Sequence, residues 1–99
     1  MPVTITENWS QIAGQVLSVS AAKDVLGFAA VHMHVGSVHP VEGYADLLEA
    51  AVGEDIDVLF PDELVSAHGI SEGDVLTCRV RRAGVDRIFA HREHVHVLR

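Results

Sequence analysis

Residues 55–76 decide the fold: Asp55-Ile56-Asp57-Val58-Leu59-Phe60-Pro61-Asp62-Glu63-Leu64-Val65-Ser66-Ala67-His68-Gly69-Ile70-Ser71-Glu72-Gly73-Asp74-Val75-Leu76. From Asp55 to Phe60 the alternation is that of a strand, with Ile56 and Val58 on one face and Asp55 and Asp57 on the other. Pro61 lacks a ladder donor, so it ends the strand, and its fixed φ opens a short helix over Asp62–Ala67 with acids in the first turn. Gly69 is placed to close that helix in the left-handed conformation, with Ile70 packing back on it. Ser71-Glu72-Gly73-Asp74 has turn chemistry. Val75–Arg82 then reads as a strand with Leu76, Cys78 and Val80 inward and Thr77, Arg79 and Arg81 outward.

Outward from this unit, further strands appear on both sides. Ala83-Gly84-Val85-Asp86 is a turn into a last strand region, Arg87–Leu98, with a break near Arg92. Upstream, Phe28–Val35 alternates cleanly: Ala29, Val31, Met33 and Val35 on one face, Ala30, His32 and His34 on the other. Ile12–Ser20 reads as the first strand, with Gly14 marking a bulge or bend. Between Glu42 and Val52, Tyr44, Leu47, Leu48 and Ala51 stand at helical spacing and Gly53 can cap. Pro40 and Gly43 offer an irregular hairpin for the same stretch. Residues 1–8 read as a loose lead-in and residues 9–99 as one domain.

Five short strands with one or two short helices predict a mainly β fold, a small five-stranded OB-like barrel whose helix lies between the third and fourth strands. The phrase P-x-E-L-x-x-x-x-G-I-x-x-G-D-x-L, running from Pro61 to Leu76 within residues 53–91, resembles the strand, short helix, strand element of AbrB-type swapped-hairpin barrels. It is also similar to the helix-glycine-turn-strand phrase of TOBE and related OB-like modules. The AbrB resemblance implies DNA binding through basic residues on these strands and loops, where this chain carries Asp55, Asp57, Asp62 and Glu63. The TOBE resemblance implies oxyanion binding, and no residue here matches a ligand position.

With 99 residues and 48% hydrophobic character, the chain has material for one core. No run of 18 apolar residues is present, so no membrane span is expected. Met1–Glu7 has neither a basic region nor an apolar run, which argues against a signal peptide. A single cysteine, Cys78, fits a reducing compartment, so the expected location is cytoplasmic. The net charge is −7. From Asp24 to Cys78 there are eleven carboxylates and no Lys or Arg, and from Arg79 onward six arginines face only Asp86 and Glu93. A net negative chain repels phosphate backbones at long range, which makes nucleic acid a poor default partner.

Seven histidines, His32, His34, His39, His68, His91, His94 and His96, are the chemistry-bearing residues. His32 and His34, two positions apart on a strand, are about 7 Å apart at the backbone. Both can reach one metal ion at roughly 2.0–2.1 Å. In a strand order of 1-2-3-5-4, Asp55 and Asp57 would lie between them and outward-facing His94 and His96, with His39 as a further loop ligand. Imidazole with carboxylate suits zinc, nickel or copper, and either aspartate can serve as an outer-shell partner.

Two other roles stay open. Arg79, Arg81, Arg82, Arg87 and Arg92 surround the turn between the last two strands, a common ligand loop for single-stranded nucleic acid in OB folds. A structural homo-oligomer joined through exposed strand edges is the third. No nucleophile motif, phosphate-cradling loop or metalloprotease helix occurs. The sequence therefore predicts a small non-catalytic binding or assembly module that takes a divalent metal, a protein partner or a second copy.

Overall fold

The computed structural model describes residues 7–85 and 87–98. The strands are β1 (Ser10–Ala21), β2 (Phe28–Pro40), β3 (Asp55–Pro61), β4 (Val75–Gly84) and β5 (Arg87–Leu98), and one helix, α1 (Asp62–His68), joins β3 to β4. The hydrogen-bonded order is β1-β2-β3-β5-β4, and β1 also pairs with β4, so the mainly β sheet closes on itself. Neighbouring strands are antiparallel except β3 and β5, which run parallel where Leu59 faces Phe89. Among the described residues no helix is long and apolar enough to cross a membrane.

The alternation read in β2 is realised. Val31, Met33 and Val35 are fully buried, and so are Ile12 from β1, Val58 and Phe60 from β3, and Leu76, Cys78 and Val80 from β4. Burial of each large apolar side chain contributes about 1.5–3 kcal/mol. Gly14 sits where the β1–β2 register shifts, and a Cβ there would stand 2.3 Å from the His34 carbonyl oxygen. Only a residue without a side chain allows that approach of the two backbones.

Pro61 and Gly69 bound α1 as their chemistry requires. Gly69 adopts φ 60°, its N–H donates to the Ser66 carbonyl, and Ile70 N–H returns to Val65 O at 3.0 Å. Ile70 is buried and closes one end of the core with Leu64 and Val65.

Two expectations are corrected. The helix expected over Glu42–Val52 is absent, and only a 3-10 turn over Glu49–Ala51 forms. Leu48 and Ala51 enter the core, while Tyr44 and Leu47 stay exposed. Asp46 explains the outcome: its Oδ1 accepts from Leu48 N–H and from the buried Ser10 hydroxyl, which fixes a loop conformation that competes with a helix. The lead-in expected over residues 1–8 lies mostly outside the described residues, but Asn8 is buried. Its amide donates to Arg82 O and accepts from Arg82 N–H, tying this segment to β4.

Candidate functional site

The β2–β3 register sets His32 opposite Asp57 and His34 opposite Asp55. All four side chains point outward, because Val31, Met33 and Val35 take the inward positions between the histidines. His32 Nδ1–H donates to Asp57 Oδ1 at 2.7 Å, and His34 Nδ1–H donates to Asp55 Oδ1 at 2.7 Å. In the neutral ring with its proton on Nδ1, each Nε2 carries a lone pair, and neither Nε2 has a partner among the described residues. A carboxylate behind the imidazole fixes the ring and raises its basicity toward a metal. The pairs are half exposed, so as ion pairs they add only about 0–1 kcal/mol of stability.

Beside His32 lies a cavity of about 420 Å³. It is formed by the β1–β2 hairpin with Ser18, Ser20 and Lys23, by His32 on β2, by Asp57 and Leu59 on β3, and by Arg87 at the start of β5. Leu59 faces outward yet is only 8% exposed, which makes it the apolar floor. The sequence reading missed Ser18, Ser20, Lys23 and Leu59. The strand order expected from the sequence was the available signal, since OB folds bind ligands on the face of their second and third strands.

The other expected ligands stand elsewhere. The parallel contact of Leu59 with Phe89 places Arg87 and Phe89, not His94 and His96, alongside β3. The break expected near Arg92 is not one: β5 runs continuously from Arg87 to Leu98, and its ladder to β4 shifts register from Ala90↔Val80 to Val95↔Cys78, leaving residues 91–94 as a bulge. There His91 accepts from Glu93 N–H, and its ring stands edge-on to both Trp9 and His94. Slight desolvation, then the Arg79 guanidinium and the His91 ring, hold the His94 pKa below the usual imidazole range, while Glu93 opposes them. His96 lies opposite Thr77, and His39 pairs with Gln11 near the far end of β2. Among the described residues no three His, Cys, Asp or Glu side chains converge on one metal position.

Two of the five hairpin arginines are committed within the chain: Arg92 pairs with Glu63 on α1 and Arg82 Nη1 donates to Val85 O, whereas Arg79 Nε is buried without a hydrogen-bond partner among the described residues. Arg81 lies over the Phe89 ring at 5.6 Å, and Phe89 meets Phe28 edge-on. Arg87 lines the cavity. No family model matches the chain, and no match was found to a curated protein or a solved structure.

Proposed function

We propose that the chain is a small non-catalytic binding module of OB-like architecture, and that the outer face of β2 and β3 is its ligand surface. The strand order, the helix between β3 and β4, and the parallel β3–β5 contact support the OB-like assignment. A cavity at the β1–β2 hairpin and the β2–β3 face supports the location.

One observation carries the chemistry: two adjacent histidines, each with Nδ1 tied to an aspartate and Nε2 turned free. The ligand is a divalent transition metal, zinc, nickel or copper, held by Nε2 of His32 and His34 with Asp57 and Asp55 behind the rings. Two protein donors leave the remaining positions to water or to a second ligand. His39, His94 and His96 fall outside this narrowed site. Thermal melting with zinc or nickel tests it. An upward shift lost in His32→Ala/His34→Ala supports the site, and an equal shift in both proteins removes it.

Arg81 stacked over Phe89, close to Arg87, favours a second reading, single-stranded nucleic acid at the same face. Its mark is a salt-dependent affinity for an oligonucleotide that is lost in Arg81→Ala/Arg87→Ala. An affinity unchanged in that variant excludes it.

A further inference from the structure

The β1–β2 and β2–β3 registers lay two rungs across the outer face beside the β1–β2 hairpin. One sets Ser18 opposite His32 and His32 opposite Asp57, and the next sets Ser20 opposite Ala30 and Ala30 opposite Leu59. The first rung is polar throughout. The second turns apolar from Ala30 to the nearly covered Leu59. Both rungs line the cavity of about 420 Å³, which also takes Lys23 and Asp24 from the hairpin and Arg87 from β5. That volume lies in the range that holds a small organic molecule. Asp57 is committed to His32. Lys23, Arg87 and the hydroxyls of Ser18 and Ser20 have no hydrogen-bond or ion-pair partner among the described residues.

We propose that this cavity holds a small organic acid, its carboxylate toward the polar rung and its apolar body over Ala30 and Leu59, and that the acid fills a position that His32 and His34 leave open on their metal ion. The proposal rests on the metal reading above and names the second ligand. Charge couples the two. With His32 neutral, Lys23 and Arg87 are matched by Asp24 and Asp57, so the described lining has no net charge to attract an anion. Asp86, next to Arg87 in the chain, lies outside the described residues. A divalent ion on His32 adds two positive charges, and Asp55 behind His34 takes back one. An anion is therefore favoured where the ion is bound. Nε2 of His32 holds such an ion at roughly 2.0–2.1 Å, and the same ring lines the cavity, so ion and acid share one wall. One carboxylate oxygen binds the ion, and the other accepts from Lys23, Arg87 or a serine hydroxyl. Phosphate or sulfate would leave the apolar rung uncovered, which favours a carbon skeleton.

Calorimetric titration of the full chain with nickel, with and without isovalerate, tests the proposal. Isovalerate joins one carboxylate to a branched alkyl body, and in free solution it competes for nickel, which would lower the apparent affinity. The expected result is instead a rise in nickel affinity of about tenfold at saturating isovalerate, with a smaller rise from acetate. By reciprocity, nickel should raise isovalerate affinity by the same factor. Lys23→Ala/Arg87→Ala, which truncates two exposed side chains, should bind nickel alone as before and lose the rise. Nickel binding that isovalerate leaves unchanged, or strengthens equally in that variant, overturns the proposal and leaves the metal site standing. An equal rise from acetate overturns the organic-acid class. No nickel binding at all removes the metal reading and the proposal together.

Discussion

His34 and Asp55 are direct partners on the β2–β3 ladder, and the His34 Nδ1 to Asp55 Oδ1 distance is 2.7 Å. His32 and Asp57 repeat the relationship one rung away. Each aspartate orients an imidazole without touching the metal position. Asp57→Asn or Asp55→Asn should therefore lower zinc or nickel affinity by about 10–100-fold. Thermal stability without metal should change by no more than about 1 kcal/mol, because the pairs are solvated. Calorimetric metal titration beside a melting curve separates the two effects.

Gly14→Ala should destabilise the fold by about 1–3 kcal/mol, read by urea unfolding. The added methyl group would press on the His34 carbonyl, so the backbone at the shift in register must move. Metal affinity should fall with it, since the displaced residue is one of the two donors. The same substitution at the exposed Gly36, where the nearest atom is 3.6 Å away, should leave metal affinity unchanged.

Cys78 is buried on the inward face of β4, and burial pushes its thiol pKa up to about 12. A thiol held protonated is a poor nucleophile. Thiol-reactive dye should label the native protein at pH 8 far more slowly than the urea-unfolded protein. Equal rates would place Cys78 at the surface.

His94 predicts the sign of a pH effect. Its pKa in the fold is lowered, so the unfolded chain binds the proton more readily. Stability is then retained above the ordinary imidazole value of about 6.5 and is lost as pH falls through that value toward the lowered one. His94→Gln should flatten the fall in melting temperature between about pH 7 and 5. The effect is small, because the ring is exposed.

Alternation in β2 and β3 and the proline and glycine bounding α1 were legible, because each is a local rule acting over a few residues. The His32, His34, Asp55 and Asp57 face was legible for the same reason, since period two fixes which side chains turn outward. Two things were not. Helical spacing at Tyr44, Leu47, Leu48 and Ala51 was overridden by the side chain of Asp46, which bonds a residue thirty-six positions away. Joining His94 and His96 to the acidic rib needed the direction of β5 relative to β3 as well as their adjacency. A parallel contact at Leu59 and Phe89 puts Arg87 beside the site instead.

The most direct test of the metal site is native mass spectrometry of the chain with zinc or nickel, before and after chelator, beside His32→Ala/His34→Ala. The account predicts one metal ion per chain, removed by chelator and absent from the variant. No bound metal in the wild-type chain, or equal uptake by the variant, would contradict it.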